Sequence, residues 1–124
     1  MMNMIHIIND ELSLTDSNDR NISVKNIIDI IKEPIVNINS DYTVNGNEYI
    51  VADTTNAAVS VTLPATPEVN LIIKFLDGKG TFDSNSLSVV RNGNTIMGKD
   101  EDMVVNTKNI SFGLMFTNND WRIV

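Results

Sequence analysis

The chain has 124 residues, of which 42% are hydrophobic and 20% are charged, and its formal net charge at pH 7 is −7. This length predicts one domain with an appendage, because single cores commonly form in chains of about 100–150 residues. The acidic charge argues against nucleic acid and anionic membranes as partners, since phosphate-binding surfaces collect Lys and Arg. The lack of cysteine excludes a disulfide framework and thiolate zinc sites.

The first residues predict neither a cleaved signal peptide nor a membrane anchor. The apolar run of residues 4–8 has no Lys or Arg before it and ends at Asn9 and Asp10, whereas a signal peptide needs a basic start and a longer apolar stretch. No stretch of the chain approaches the roughly 18 consecutive apolar residues that a spanning helix requires. We therefore expect a soluble protein that folds in a reducing cytoplasm.

Residues 1–40 differ in pattern from the rest and predict an N-terminal arm. Residues 4–8 are apolar and favour an extended conformation, and residues 15–21 are rich in turn-forming Asp, Asn and Ser. Residues 23–34 then favour a short helix, because Ser23 can cap its start and Pro34 stops its pattern. One face of this predicted helix is apolar: Val24, Ile27, Ile28 and Ile31.

The predicted helix is too short to be stable alone in water, because isolated helices need about 12–15 residues. It must therefore dock on another surface. Val24, Ile27 and Ile31 fit a and d positions of one heptad, and β-branched residues at both positions favour three-stranded association. We expect the arm to provide anchoring and oligomerisation through its apolar residues: Ile5, Ile7, Ile8, Val24, Ile27, Ile28 and Ile31.

From residue 42 onward, apolar and polar residues alternate with the period of two that indicates β-strands. Residues 59–63 alternate most clearly, and their apolar members are predicted to point inward: Val59, Val61 and Leu63. Residues 71–76 are almost continuously apolar, which predicts a central strand with both faces covered. Several further short strands follow, and the last of them reaches Val124.

Two Asn-Gly dipeptides predict β-hairpins, because this dipeptide readily supplies the positive φ angles of a type I′ turn. They are Asn45-Gly46 and Asn92-Gly93, each lying between two predicted strands. The segments between the predicted strands lack the helical period that would indicate a parallel sheet. The predicted fold is all-β: a small antiparallel β-sandwich or partial barrel of residues 41–124, preceded by the N-terminal arm of residues 1–40 with its one short helix.

No motif predicts catalysis, a cofactor or a metal site. His6 is the only histidine and lies in the apolar arm, away from the several positioned groups that a site needs. Asp100, Glu101 and Asp102 are consecutive, so in a strand they point to alternating faces, and they predict a solvated turn. Three other acids lie beside turn residues and are predicted to bond their own backbone: Asp53, Asp77 and Asp120. We expect no enzymatic activity.

The aromatic residues leave a choice between core packing and sugar binding. Core packing is the default, because aromatic side chains supply much of the buried area in small β folds. An exposed subset could instead stack on the sugar rings of a host-surface glycan. The candidates for glycan contact are Trp121 and Tyr49.

The segment from residue 42 to residue 124 resembles a domain of bacteriophage fibre and virion surface proteins. The resemblance is carried by the order of five elements, at residues 49–55, 59–65, 72–82, 92–98 and 120–123. These read Tyr-Ile-Val-Ala-Asp-Thr-Thr, then Val-Ser-Val-Thr-Leu-Pro-Ala, then a strand ending in Asp77 with Gly80 and Phe82 after it, then Asn-Gly-Asn-Thr-Ile-Met-Gly, then Asp-Trp-Arg-Ile. Asn70 stands where the family usually places a glycine, and Asn tolerates the left-handed conformation.

The resemblance implies a small β-sandwich that assembles as a homotrimer on a phage tail, fibre or capsid, without catalytic residues. We therefore expect a non-enzymatic virion structural protein, assembled in the host cytoplasm: a small capsid decoration or head-fibre protein. Its partners would be other copies of itself and, through the N-terminal arm, the major capsid protein or another virion protein. A short tail-fibre or baseplate component and a carbohydrate-binding module remain the alternatives.

Overall fold

The computed structural model describes residues 5–8, 11–15, 21–23 and 33–124, and the chain divides into two units, Met1–Lys32 and Glu33–Val124. In the first unit, β1 (Ile5–Ile8), β2 (Glu11–Thr15) and β3 (Asn21–Ser23) form an antiparallel sheet in that order. The extended conformation predicted near the N-terminus is confirmed by β1.

The helix predicted over residues 23–34 falls mainly on residues 24–32, which lie outside the described residues. Ser23, its predicted cap, is the last residue of β3. At the other end, Pro34 lies just before a strand, and its carbonyl accepts the N–H of Tyr49 at 2.8 Å. The helix therefore stays a prediction.

The second unit contains a six-stranded sheet of order β10-β13-β12-β8-β6-β4 and a four-stranded sheet of order β11-β9-β7-β5. The strands are β4 (Ile35–Ile38), β5 (Tyr42–Thr43), β6 (Tyr49–Ala52), β7 (Val59–Thr62), β8 (Ile72–Asp77), β9 (Leu87–Val90), β10 (Thr95–Ile96), β11 (Met103–Val105), β12 (Ser111–Thr117) and β13 (Asp120–Ile123). β4 lies within the segment predicted as the arm, yet it pairs with β6. We call the unit Glu33–Val124, with its two sheets, the β body.

The all-β class is confirmed, but the sheets are mixed and the prediction of an antiparallel fold is wrong. From β4 to β12, consecutive strands alternate between the two sheets. From β4 to β9, strands two places apart pair in parallel: β4 with β6, β6 with β8, β5 with β7, and β7 with β9. β11 and β12 instead pair antiparallel, with β9 and β8 respectively. A parallel pair needs a crossover connection, and here a strand of the opposite sheet provides it. The absence of helical periods therefore did not exclude parallel pairing.

Both predicted hairpins are wrong for the same reason. Asn45-Gly46 joins β5 to β6, and Asn92-Gly93 joins β9 to β10, and in each case the two strands belong to different sheets. The turn chemistry itself is present at the second site, where φ is 53° at Asn92 and 97° at Gly93. An Asn-Gly pair thus favours a tight turn without determining which sheet the next strand joins. The hairpin between β12 and β13 instead turns at Asn118-Asn119.

Inward-facing side chains of both sheets form one core. Val59, Val61 and Leu63 are at most 1% exposed, as the alternation predicted. In the central strand β8, Ile73 and Phe75 are buried while Ile72, Lys74 and Leu76 are not, so only one face is fully covered. The largest members of the core include Trp121, Phe75, Phe82, Ile50, Leu63 and Ile73.

Asn70 has a φ of 69°, which confirms that Asn adopts the left-handed conformation at this turn. The turn leads directly into β8. No helix among the described residues is long and apolar enough to cross a membrane.

We expect Trp121→Ala to lower the free energy of unfolding by about 3–5 kcal/mol, because it removes a large side chain from a packed core. Trp121 is 0% exposed, and its ring lies 5.2 Å from that of Phe116. Urea unfolding followed by circular dichroism measures the change. Tyr49→Ala is the control: Tyr49 is only half-buried, so its loss should cost clearly less. Equal costs for the two variants would contradict the assignment of Trp121 to the core.

Candidate functional site

Asp77 lies at the end of β8 and is the most buried carboxylate described, at 5% exposed. Its Oδ1 accepts the N–H of Thr81 at 3.1 Å, and its Oδ2 accepts those of Phe82 at 3.2 Å and Asn109 at 2.9 Å. Burial alone would raise the pKa of Asp77, but these backbone N–H groups and that of Lys79 outweigh it and hold the pKa below the ordinary value. The carboxylate is therefore ionised and ties two loops together.

Asp120 performs the same task at the start of β13. Its Oδ1 accepts the hydroxyl of Thr95 at 2.6 Å and the N–H of Gly98 at 3.0 Å, and its Oδ2 accepts Arg122 Nη1 at 3.0 Å. Burial alone would raise the pKa of Asp120, but the hydrogen bonds from Thr95, Gly98 and Arg122 outweigh it. The pKa of Asp120 is therefore below its ordinary value. These bonds hold β10 against β13.

Two further acids are used in their own turns. Asp53 Oδ1 accepts the N–H of Thr55 at 2.9 Å, and hydrogen bonding from Thr55 is the main cause that lowers the pKa of Asp53. The buried Glu48 accepts the hydroxyl of Tyr42 at 2.9 Å and the N–H of Asn45 at 3.2 Å. Burial, and then the Glu48 carboxylate, raise the pKa of Tyr42. The prediction that Asp53 and Asp77 bond the backbone of their own turns is confirmed. For Asp120 the prediction is wrong, because its carboxylate accepts from Thr95 and Gly98, which are 25 and 22 residues away along the chain.

The acidic run Asp100, Glu101 and Asp102 is exposed, as predicted. Asp102 Oδ1 accepts the N–H of Arg91 at 3.0 Å, and Asp100 Oδ1 lies 3.6 Å from Arg91 Nη1. Across the part of the chain that the structure describes, no group of three or more His, Cys, Asp or Glu residues is placed to hold a metal ion.

Two concave surfaces that have aromatic residues in their lining are the candidates for binding. The first is a depression of about 270 Å³ on the outer face of the six-stranded sheet, lined by Tyr49, Lys74, Ser111, Phe112, Gly113 and Val124. Gly113 leaves room there, since a Cβ at this position would lie 2.9 Å from Val124 Cγ2. Lys74 Nζ lies 5.9 Å from the centroid of the Tyr49 ring and 3.0 Å from Glu33 Oε1. We call this surface the Tyr49 depression.

The second surface is a groove of about 300 Å³ where the two sheets diverge beside β11. Its lining is mostly apolar, and we call it the apolar groove: Met103, Val104, Val105, Asn106, Thr107, Ile110, Phe112 and Ile123. Val104 and Ile123 are 62% and 51% exposed. Exposed apolar side chains grouped in this way are typical of interaction surfaces.

The residues predicted to bind glycan are separated by the fold. Trp121 lies in the core and has no exposed face to offer a sugar ring. Tyr49 is half-buried on the outer face, beside the Tyr49 depression. Of the anchoring candidates, Ile5, Ile7 and Ile8 belong to β1, whereas Val24, Ile27, Ile28 and Ile31 lie outside the described residues.

Sequence reasoning did not identify the apolar groove. A signal was present in β11, where Met103, Val104 and Val105 are consecutive apolar residues, a pattern that leaves an apolar side chain on each face of a strand. The sequence carried no comparable signal that Phe112 and Ile123 line the groove. Their position there depends on which strand of the other sheet lies opposite them.

Comparison with known proteins identified no relatives for this chain: no protein-family model matches it, and neither does any curated protein.

We expect the free energy of unfolding to fall as the pH drops below about 4, the ordinary range of a carboxyl group. A carboxylate whose pKa is lowered by folding binds its proton more weakly in the folded state, so acid favours the unfolded state. Asp77→Asn should reduce this pH dependence, which urea titrations between neutral and acidic pH would measure. Asp53→Asn, at an exposed turn bond, is the matched control. A larger loss of pH dependence in Asp53→Asn than in Asp77→Asn would contradict the assignment.

Proposed function

We propose that the protein is a non-enzymatic bacteriophage virion structural protein: a small homotrimeric capsid decoration or head-fibre protein. The residues before Glu33 would anchor it to the major capsid protein or another virion protein, and the β body would project from the particle. The observation that carries the proposal is the resemblance of residues 42–124, in the order of their elements, to domains of phage fibre and virion surface proteins.

The use of the acidic side chains supports a structural role. Asp77, Asp120 and Asp53 have lowered pKa values because each accepts hydrogen bonds that hold its own turn or a neighbouring loop. A general acid or base requires the opposite arrangement, a pKa shifted toward the working pH and a proton within reach of a substrate. The carboxylates instead stabilise a body of short strands.

The division of the chain supports the separation of anchoring from projection. Glu33–Val124 contains the two sheets and their shared core, and residues 1–32 form a separate unit. The apolar residues that the sequence assigns to anchoring all precede Glu33. Anchoring can therefore be removed by substitutions that leave the core of the β body unchanged.

We expect the full-length protein to sediment as a trimer, and Ile27→Asn combined with Ile31→Asn to yield a monomer. Both residues lie on the apolar face of the predicted helix, and polar residues at a and d positions weaken association. Sedimentation velocity measures the mass, and electron microscopy of purified phage particles with an antibody against the β body locates the protein. Lys25→Asn with Asp29→Asn, on the polar face of the same predicted helix, is the matched control.

A monomeric wild-type protein that also fails to label phage particles would contradict the proposal. Labelling of the tail or baseplate instead of the head would favour the tail-fibre alternative. The fluorescence spectrum of Trp121, which lies in the core of the β body, should be the same in the double Asn variant and in the wild type, because the substitutions lie outside the β body.

A carbohydrate-binding function is the second candidate, and the Tyr49 depression favours it. An aromatic ring beside an open depression can stack on a sugar, and Lys74 and Ser111 in the same lining can hydrogen-bond hydroxyl groups. Trp121 does not contribute, because it is buried. The contact would therefore depend on Tyr49.

If the protein binds host-surface glycan, Tyr49→Ala should abolish binding on a glycan array, whereas Tyr49→Phe should retain most of it. The stacking face is lost in the first variant and kept in the second. Tyr42→Phe, which removes only a hydroxyl bonded to Glu48, is a control for effects on the β body. Unchanged binding by Tyr49→Ala would exclude this surface.

A further inference from the structure

β11 is an edge strand, and its exposed edge is apolar. In the four-stranded sheet it pairs with β9 alone, through Met103↔Val89, Val104↔Ser88 and Val105↔Leu87. Within residues 33–124, no strand pairs with its other edge. Val104, at the centre of the strand, is 62% exposed.

The backbone of Val104 points away from the sheet. The carbonyls of Ser86 and Val90 accept N–H groups of Val59 and Leu63, so in β9 the even-numbered residues direct their backbone groups toward β7. Successive strand residues direct these groups to opposite edges, so Leu87 and Val89 face β11. Their partners in β11, Val105 and Met103, use the paired edge. The N–H and C=O of Val104 therefore lie on the free edge.

β11, which has three residues, is the least protected of the sheet edges. Edge strands are commonly blunted by shortness, proline or charge. β5 and β10 have two residues each, and β4 follows directly on Pro34, which has no N–H. The residues of β11 contain no charge and no proline.

The chain on either side of β11 is complementary to itself in an antiparallel arrangement. If β11 pairs with β11 of a second copy at Val104↔Val104, Met103 faces the copy's Val105. Asp100 lies in a bend before β11 and Lys108 in a turn after it, so the acidic end of one strand lies beside the basic end of the other on both sides of the twofold axis. Val104 would exchange two N–H···O=C bonds with its counterpart, because residues opposite each other at outward-pointing positions form the hydrogen-bonded pair. The side chain of Asp100 is 81% exposed and can reach the copy.

The apolar groove lies beside this edge and would be covered by the same pairing. Met103 and Val105 of the strand line it, together with Ile110, Phe112 and Ile123 from the facing sheet. A second copy of β11 would bring its own Met103 and Val105 next to the groove. One arrangement thus satisfies the free backbone groups of Val104 and buries the exposed apolar side chains.

We propose that β11 is a self-association edge, at which two copies of the protein pair antiparallel through Val104 and join their four-stranded sheets into one. The paired segment is short, and stable interfaces usually bury about 1,200 Å² or more, so the association is weak and depends on concentration. Copies held side by side by another contact associate far more strongly, because the effective concentration reaches the order of millimolar. The surface is separate from the trimerisation that the proposed function assigns to the N-terminal residues.

Sedimentation velocity of the full-length protein from low to high micromolar concentration tests the proposal. The mass should double with concentration, from monomer to dimer or, if the N-terminal residues trimerise, from trimer to hexamer. Val104→Lys should weaken the doubling step about tenfold or more, since two lysines then face each other. Val69→Lys is the matched control, because Val69 is 74% exposed and lies outside the strands. The basal trimer should persist in both variants, so failure of the two proposals is distinguishable.

Reversal of the charge pair provides a test that does not depend on Val104. Asp100→Lys and Lys108→Glu should each weaken the doubling step, and the protein carrying both should regain it, because opposite charges then face each other again. The loss of the exposed Asp100–Arg91 contact cannot produce this rescue. The proposal is overturned if the wild-type mass does not change with concentration, if Val104→Lys still doubles, or if the double variant is weaker than both single ones.

Discussion

The structure depends on the way the chain crosses from one sheet to the other through a single apolar core. From β4 to β12, every strand belongs to the opposite sheet from the strand that precedes it, and from β4 to β9 each strand also lies beside the strand two places away in the chain. The inward side chains of consecutive strands therefore meet face to face, as with Ile50 of β6, Val61 of β7 and Phe75 of β8, all at most 1% exposed. Neither sheet has an apolar face that it could cover alone. The burial that holds the sheets together thereby also brings β4, β6 and β8 into parallel order in one sheet, and β5, β7 and β9 in the other.

The crossings between sheets need firm anchors, and the buried or half-buried carboxylates provide them. Asp77 ends β8 and holds both the loop to β9 and the turn before β12, through the N–H groups of Phe82 and Asn109. Asp120 likewise binds the hydroxyl of Thr95 and the N–H of Gly98, which fixes the short β10 beside β13. The loops that connect strands leave backbone N–H groups without a partner in a sheet. A carboxylate binds these N–H groups more strongly than a neutral acceptor does.

The sequence was sufficient for the local structure of the β body and insufficient for its pairing. Alternation identified the inward residues of β7, and turn chemistry identified Asp53. The left-handed Asn70 was expected from the glycine that the resembled family places at this position. Asn45-Gly46 and Asn92-Gly93 suggested hairpins because Asn-Gly favours the φ angles of a tight turn. The dipeptide determines only these local angles, and it does not determine which strand pairs with which. Whether the next strand returns to the same sheet depends on the loop length and on distant apolar faces, which a short window does not contain. Of the Tyr49 depression, the sequence predicted only Tyr49. Lys74 and Gly113 lie beside it because the strand register pairs Tyr49 with Lys74 and Lys74 with Gly113, and this register was not predictable from the sequence.

The unequal width of the two sheets explains where the molecule is left open. In the six-stranded sheet, β12 turns back into β13, and β10 covers part of the next edge. The four-stranded sheet has no such return strand after β11. Phe112 and Ile123 therefore lie opposite a position at which the narrower sheet has ended, and the apolar groove is the space left there. A strand that extended the narrower sheet at this edge would run antiparallel to β11 and would need apolar side chains on its inner face. β11 of a second copy, with Met103 and Val105, can pair in this way.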